Sequence, residues 1–252
     1  MSKKNLIRII IIGLFLAFIF SACSTQQEVR GARDGQPVVH TGNNDEKNYG
    51  NQGQGFEAHA ENSENGSGYY QSTDIDLSEE EIADLLFMRE EEKLARDVYA
   101  YLYTQWNLPV FQSIAQSEQN HMDSILELLD AYGLEDPVAQ TASGEFVNSD
   151  LQGLYDSLIA RGEQSLEDAL RVGALIEEVD ILDLVDAIEH TDKADIERVY
   201  SNLLFGSENH LRSFTSQLSR HVGVTYEPVQ LDQETYQGII ADQAGQRGRP
   251  NN

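Results

Sequence analysis

Carboxylates and a histidine occur at helical spacing within apolar segments of this sequence, and side chains of these types bind metal ions. Glu118 and His121 are three residues apart, close to one helical turn, in a segment whose apolar residues recur every three or four positions. Glu92 is the single acidic residue in the apolar stripe of the preceding segment. A glutamate on one helix and a Glu-x-x-His pair on another can hold metal in a bundle core. We therefore predict that Glu92, Glu118 and His121 are metal ligands.

The second half of the chain carries a comparable set of candidate ligands. Glu177 lies near the centre of an apolar stripe, Glu178 lies at its edge, and Asp180 is a weaker candidate on the other flank. His210 lies on the apolar face of a later segment, with Glu208 two residues before it. A regular α-helix turns by about 200° over two residues, so Glu208 and His210 can share one centre only where a π-bulge or local distortion intervenes. We predict Glu177, Glu208 and His210 as further ligands.

The number of these carboxylates indicates how much positive charge they require, and the types of ligand indicate which metals would supply it. Burying several carboxylates together is costly unless cations accompany them. Two divalent or trivalent ions would supply that charge, and a mixture of carboxylate and imidazole ligands suits iron or manganese. The sequence therefore predicts a centre with two iron or manganese ions, and a polar core network without metal is the alternative.

Tyr99 is the candidate catalytic residue. It lies on the same predicted helix face as Glu92. Its hydroxyl could hydrogen-bond a ligand, or its ring could accept a radical. A packing role suits this residue equally well.

Capping and turn residues predict four long helices that would position these side chains. Ser78 and Glu81 form a capping box at the start of the first helix. Pro109 suits the first turn of the second helix, and Gly133 suits its C-terminal cap. The long helices are expected at about 79–105, 109–133, 165–190 and from the turn at 191–192 to about 221, with short helices at 150–161 and 233–241.

The lengths of the connections predict how these helices are arranged. The linker between the first two helices is short, so they should be antiparallel neighbours with Glu92 level with Glu118 and His121. The connection over 134–164 is long, as in bundles where one crossover joins two helical hairpins. We predict an all-α four-helix bundle with one long crossover between helices 2 and 3. Glu90 and Glu91 are expected on its solvated face.

Composition excludes several classes of function. The chain has 252 residues, and 17 Lys+Arg against 43 Asp+Glu give a formal net charge of −26. Such a surface repels phosphate backbones, so we expect no nucleic-acid partner. The single cysteine, Cys23, excludes an intrachain disulfide and a cysteine-based zinc or iron–sulfur cluster.

The N-terminal residues predict export and lipid anchoring. Lysines and an arginine precede an apolar run from Ile9 to Phe20, which is too short to span a bilayer comfortably and suits a signal peptide. The run Phe20-Ser21-Ala22-Cys23 resembles a bacterial lipobox with Phe in place of the usual Leu, and the resemblance implies cleavage before Cys23 and acylation of its thiol. The alternative is an uncleaved membrane anchor. In both cases we expect the protein in the cell envelope, tethered to a membrane outside the cytoplasm.

The domain organisation follows from these patterns. Residues 23–75 are rich in Gly, Asn, Gln, Ser and Glu and poor in aliphatic residues, which predicts a disordered tether. The predicted domains are a signal peptide at 1–22, this tether, a bundle at 76–223, and a tail at 224–252 that is partly packed and then disordered.

Three motifs resemble a known family. These are MREEEKLARDVY at 88–99, SEQNHM at 117–122 and GSENHLR at 206–212, which are similar to an uncharacterised ferritin-like family, domain of unknown function 2202. The ligand pattern also resembles that of rubrerythrins and other ferritin-like di-iron proteins. The resemblance implies a four-helix ferritin-like fold and brings no established activity. One departure is that Ser207 stands three residues before His210, where that pattern has Glu.

Three functions are compatible with the sequence. The leading hypothesis is an envelope lipoprotein whose dimetal centre performs oxidase- or peroxidase-type chemistry on dioxygen, hydrogen peroxide or ferrous iron. The second is a protein that binds or sequesters metal without turnover. The third is a structural helical lipoprotein with no catalytic activity. A homo-oligomer is compatible with all three.

Overall fold

Six α-helices make up most of residues 76–242, the part of the chain that the computed structural model describes. These residues contain no β-strand, so the all-α prediction is confirmed for this part. The predicted signal peptide, Cys23 and the tether lie outside the described residues, as does the tail beyond 242. The helices are α1 (Glu79–Trp106), α2 (Pro109–Tyr132), α3 (Ser149–Gly162), α4 (Leu166–Glu189), α5 (Ala194–Val222) and α6 (Gln233–Ala241).

The helix ends follow the predicted capping residues. The Ser78 backbone N–H donates to Glu81 Oε2 at 2.8 Å, and the Glu81 N–H donates to Ser78 Oγ at 3.1 Å, which completes the capping box. Pro109 occupies the first turn of α2, and Gly133 ends it in the left-handed conformation with φ 68°. Asn107 adopts φ 49° between α1 and α2, so the chain reverses within two residues.

The four long helices surround a common apolar core. α1 packs along α2, and α4 packs along α5, while further contacts join α1 to α4 and α2 to α5. α3 lies in the connection between α2 and α4 and packs against both α1 and α4. Each long helix contributes side chains that are 0% exposed, including Leu85, Val98, Ile125, Leu184 and Phe214. Within residues 76–242, none of the helices combines the length and the apolar character needed to cross a bilayer.

The prediction that Glu90 and Glu91 lie on a solvated face is wrong. They are 6% and 5% exposed, because the connection after α2 and the helices α3 and α4 cover this side of α1. Glu90 Oε2 accepts hydrogen bonds from the backbone N–H groups of Val147 at 2.8 Å and Asn148 at 3.0 Å. Glu90 therefore helps to hold the connection at the start of α3.

Four charged side chains on and beside α1, of which Asp136 is only partly buried, form what we name the paired cluster: Arg89, Lys93, Asp97 and Asp136. Lys93 Nζ lies 2.6 Å from Asp97 Oδ2, and Arg89 Nη2 lies 2.9 Å from Asp136 Oδ2. Lys93 also donates to the backbone carbonyls of Ala142 at 2.8 Å and of a neighbouring loop residue at 3.0 Å. Each of these charges thus has an opposite charge within hydrogen-bond distance, and the cluster fixes the loop after α2.

The segment 224–231, which follows α5, folds back onto α4 at Glu178. Three consecutive backbone N–H groups, those of Val229, Gln230 and Leu231, donate to the Glu178 carboxylate at 2.7–3.0 Å. The Tyr226 hydroxyl donates to the same carboxylate at 2.6 Å. A carboxylate that accepts so many hydrogen bonds can be buried at low cost, and Glu178 is 0% exposed.

Candidate metal centre

Five of the predicted ligands, contributed by all four long helices, converge in the core. They form two groups whose ligand atoms lie within 4.8 Å of one another. The first ligand group is Glu92, Glu118 and His121, and the second is Glu118, Glu177 and His210. Glu118 belongs to both groups, so the two candidate metal positions are adjacent and share a carboxylate. The prediction that Glu92 lies level with Glu118 and His121 is confirmed.

The first ligand group is organised around His121. Its Nδ1 lies 2.8 Å from Glu118 Oε2 and 3.2 Å from Glu92 Oε2. The opposite edge of the ring lies against the backbone of α5 at Gly206, where an added Cβ would be only 2.6 Å from Nε2. The absence of a side chain at Gly206 therefore allows the imidazole to fit between α2 and α5 with Nδ1 towards the carboxylates.

The second ligand group is organised around His210. Its Nδ1 lies 2.8 Å from Glu118 Oε1 and 3.4 Å from Glu177 Oε2. Ser117 Oγ lies 2.9 Å from Nε2 and so orients the ring. The Tyr99 hydroxyl donates to Glu177 Oε1 at 2.5 Å, and its ring packs on that of Phe214. Hydrogen bonds of this kind hold ligands in place around metals in proteins.

Several atoms of the two ligand groups converge without hydrogen bonds between them. Glu118 Oε1 and His210 Nδ1 are 2.8 Å apart, yet their alignment is not that of a hydrogen bond, and neither has another hydrogen-bond partner within the described residues. Glu92 Oε1 is buried without a partner in the same part of the chain. Unsatisfied buried atoms are rare in native proteins, and atoms that converge in this way suit a cation between them. The residues present therefore fit a bound metal.

Burial and neighbouring charges perturb the ionisation of the three carboxylates, each of which is 1% exposed. Burial raises the pKa of Glu92 to about 7, with His121 opposing the rise and Glu118 adding to it. Burial also raises the pKa of Glu177. Burial acts in the same direction on Glu118, but His210 and His121 outweigh it and lower the Glu118 pKa to about 2.

The two histidines act as the counter-ions of these carboxylates when no metal is present. Burial lowers the pKa of His121, but Glu92 and Glu118 outweigh it and raise the pKa to about 12. Burial is likewise outweighed at His210, where Glu118 and Glu177 raise the pKa to about 10. Among the described residues, Glu92, Glu118 and Glu177 make ion pairs with histidine alone. Because a metal ligand must be a neutral imidazole, a metal ion would take over the charge that these protons now supply.

Comparison with known proteins places these helices in a family. A family model described as "Uncharacterized protein domain (DUF2202)" matches residues 81–243. The chain belongs to the DUF2202 family. This confirms the family that the three sequence motifs resemble. The matched range contains every residue of both ligand groups.

A relative and a solved structure are similar to this DUF2202 domain. "Uncharacterized protein MJ0754" from Methanocaldococcus jannaschii is 48% identical over 165 residues, which cover 66% of this chain and 89% of that protein. The crystal structure described as "hypothetical protein MJ0754 from Methanococcus jannaschii DSM 2661" aligns with a TM-score of 0.65 at 47% identity, over 66% of this chain and 95% of that chain. The region aligned with this chain therefore makes up nearly the whole of that relative.

The structure does not bring Glu208 into either ligand group of the DUF2202 domain. α5 is a regular α-helix over Ala194–Val222, so the π-bulge that would allow Glu208 and His210 to share a centre does not form. The Glu208 carboxylate instead lies 3.8 Å from Arg212 Nη1 at the helix surface, where the Glu208 side chain is 17% exposed. The sequence also did not indicate the roles of Ser117 and Gly206, because neither residue type is itself a metal ligand.

Proposed function

We propose that this chain is a ferritin-like four-helix bundle that holds two iron or manganese ions. Its activity would be oxidase- or peroxidase-type redox chemistry on dioxygen, hydrogen peroxide or ferrous iron. The arrangement of the helices supports the fold, because α1 with α2 and α4 with α5 form two hairpins joined by the long connection that contains α3. Membership of the DUF2202 family supports the assignment of this domain as one unit.

The observation that carries the proposal is the pair of ligand groups that share Glu118. Each group has one histidine and two carboxylates, and their ligand atoms lie within 4.8 Å of one another. Glutamates from several helices, combined with histidine, form dimetal centres in bundles of this type. Such ligand sets suit iron and manganese, whereas a purely carboxylate site would suit magnesium or calcium.

The two ligand groups would each hold one metal ion. Glu92, Glu118 and His121 would hold one ion, and Glu118, Glu177 and His210 the other. Iron or manganese held in this way would supply electrons for the reduction of a small oxidant. Reduction of hydrogen peroxide to two water molecules consumes two electrons and two protons, and two ferrous ions taken up as substrate would supply the electrons.

Other side chains would orient the ligands and restrict access to them. Tyr99 fixes Glu177, and Ser117 fixes His210. Since the ligand carboxylates are 1% exposed and the histidines are 7–9% exposed, only small reactants could approach without a change of structure. Dioxygen and hydrogen peroxide meet that requirement. Redox activity of Tyr99 itself stays a prediction.

The same burial favours a second candidate function, retention of metal without turnover. Ligands shielded from solvent exchange metal slowly, which suits a protein that sequesters or senses metal. Oxidant consumption separates the two functions, because a sequestering protein binds ferrous iron without reducing dioxygen or hydrogen peroxide.

The first experiment is metal analysis of the full chain, loaded with ferrous iron or manganese under anaerobic conditions and desalted. We expect about two ions per chain in the wild type and fewer than one in Glu118→Gln, because Glu118 serves both positions. Glu208→Gln is the matched control and should retain both ions. Absence of stoichiometric metal from the wild type would reject the dimetal centre and leave a structural role.

The second experiment measures turnover. Ferrous iron is added to the metal-loaded wild type with dioxygen or hydrogen peroxide, and oxidant consumption is followed with an electrode. Consumption well above that of Glu118→Gln supports the redox function. Two bound ions without consumption would instead support sequestration.

We also infer export and acylation at Cys23, on the strength of the N-terminal residue pattern alone. Expression of the full chain in a bacterium should place it in the membrane fraction, and Cys23→Ala should release it from that fraction or leave it unprocessed. Membrane association and N-terminal processing that are the same in both forms would contradict acylation.

A further inference from the structure

One buried carboxylate beside the candidate metal centre belongs to neither ligand group. Asp180 lies on α4, three residues after Glu177, and is 5% exposed. Side chains three residues apart are neighbours on a helix surface. Asp180 is therefore close to the ligands, and its carboxylate needs a partner of its own.

The two oxygens of the Asp180 carboxylate have different surroundings. The Ser207 hydroxyl donates a hydrogen bond to Oδ2. Oδ1 is buried and has no hydrogen-bond partner within the described residues. Since buried carboxylate oxygens in native proteins are almost always satisfied, Oδ1 is available to a partner that the polypeptide does not provide.

The charges around Asp180 come from both ligand groups. Burial raises the pKa of Asp180 well above its usual range, and the carboxylates of Glu92, Glu177 and Glu118 add to the rise. Glu92 belongs to the first ligand group, Glu177 to the second, and Glu118 to both. The negative charges of both groups therefore act on Asp180, and a cation bound near its unpartnered oxygen would relieve that repulsion.

Ser207 provides the support that such a ligand needs. It is 0% exposed on α5, three residues before His210, and its hydroxyl also lies 3.0 Å from the Leu203 carbonyl oxygen. A hydroxyl has one proton and can direct it to either acceptor. Its hydrogen bond from α5 orients the Asp180 carboxylate on α4, so Ser207 would position this carboxylate.

We propose that Asp180 is a fourth carboxylate ligand of the dimetal centre, oriented by Ser207 and placed to serve both ligand groups. This inference rests on the proposed dimetal function. Glu208 on α5 was predicted as a ligand, but it lies at the helix surface beside Arg212. Under this proposal, Asp180 on α4 provides the missing carboxylate instead. Four carboxylates with two histidines also balance the charge of two divalent ions.

The test compares conservative variants of the full chain. Asp180→Asn keeps the size of the side chain and removes its negative charge. Asp183→Asn is the matched control, because Asp183 lies three residues further along α4 and is 1% exposed. Ser207→Ala leaves every carboxylate in place and removes only the orienting hydroxyl.

The readout is binding of manganese(II) under anaerobic conditions. Bound ions are counted by mass spectrometry, and electron paramagnetic resonance reports free ions and coupling between bound ions. We expect about two coupled ions in the wild type and in Asp183→Asn. At least one ion should bind about 10- to 100-fold more weakly in Asp180→Asn, and about 10-fold more weakly in Ser207→Ala.

The outcomes separate this inference from the function on which it rests. Two coupled ions of wild-type affinity in Asp180→Asn would overturn the role of Asp180 and leave the dimetal centre intact. A wild type that binds no manganese would overturn both. If circular dichroism shows that Asp180→Asn is unfolded, Ser207→Ala decides, since unchanged affinity there overturns the proposal and weakened affinity supports it.

Discussion

The two sides of α1 bury charge in opposite ways. On one side the paired cluster places two cations against two carboxylates, with Lys93 and Asp97 both 2% exposed. On the other side Glu92 lies among the carboxylates of Glu118 and Glu177, whose ion pairs within the described residues are with histidines. Glu92 and Lys93 are consecutive residues. Glu92 thus belongs to a site with excess negative charge, and Lys93 belongs to the paired cluster, in which positive and negative charges balance.

This difference separates buried charges that are already compensated from buried charges that could bind a cation. Buried charges that have their own counter-ions and hydrogen bonds need no further partner, and they contribute to a single folded arrangement. Buried carboxylates without such partners must take up protons or bind cations. The candidate metal centre therefore differs from the paired cluster in its incomplete charge compensation, since both sides of α1 bury several charges.

Removal of one charge should therefore have opposite effects on the two sides. Lys93→Met leaves the buried Asp97 with the partly exposed Arg96 as its remaining cation, and we expect it to lower the free energy of unfolding by about 3 kcal/mol. Glu92→Gln removes a carboxylate whose pKa is about 7, so it should stabilise the metal-free protein at pH 8 by on the order of 1 kcal/mol. Urea unfolding of both variants without metal measures these changes.

A control for these variants is Arg171→Met, which breaks a surface pair with Glu167 and should change stability by about 0.5 kcal/mol or less. Destabilisation by Glu92→Gln as large as that by Lys93→Met would show that the candidate metal centre is also balanced without metal. The comparison between the two sides would then fail.

The pH dependence of the metal-free protein should reveal the same excess of negative charge. Glu92 titrates near its ordinary value when unfolded and near 7 when folded, so its stabilising contribution is present below about pH 4.5 and lost as the pH rises through 7. His210, with a folded pKa of about 10, contributes fully below about pH 6.5 and loses this contribution as the pH rises through 10. We expect stability to fall by on the order of 2 kcal/mol between pH 5 and pH 9.

Bound metal should reverse this trend. Metal binding displaces protons from the ligands, so affinity rises with pH, and the stabilisation by manganese should be larger at pH 8 than at pH 5. Thermal unfolding with and without manganese over this pH range measures both trends. Parallel curves with and without metal would contradict the assignment of Glu92 and His210 as ligands.

A small effect on stability and a larger one on metal affinity are expected at Gly206. In Gly206→Ala the added methyl group would meet the His121 ring at 2.6 Å, and the higher helix propensity of alanine offsets part of the cost of moving the ring. We expect the free energy of unfolding without metal to change by less than about 1 kcal/mol, while manganese affinity at the first ligand group falls about 10-fold. Gly153→Ala, where the structure leaves open space, is the control. Equal manganese binding by both variants would mean that close contact with α5 does not position His121.

Sequence periodicity predicted most of the fold and much of the candidate metal centre. The helix boundaries follow residues with strong local preferences, such as Ser78 and Gly133, so they could be predicted from the sequence. The Glu-x-x-His spacing likewise places Glu118 and His121 on one face of any α-helix. Local geometry alone determines these features.

The errors and omissions concern features that depend on more than one helix. Glu90 and Glu91 were expected in solvent because one apolar stripe describes only one contact surface, whereas α1 packs against three helices. The pairing of Asp180 with Ser207 joins residues from α4 and α5 and leaves no periodic pattern in the sequence. The spacing of Lys93 and Asp97, four residues apart, was a signal that could have indicated a buried ion pair.

The closure of segment 224–231 on Glu178 determines where this domain can be cut or fused. Glu178 is the residue after Glu177, and the donors that satisfy it lie beyond the end of α5. A fragment that stops at Gly223 would contain all four long helices and yet leave this carboxylate buried without those donors. The smallest portable form of the domain, for grafting onto another protein or for a library of variants, therefore extends at least through Leu231.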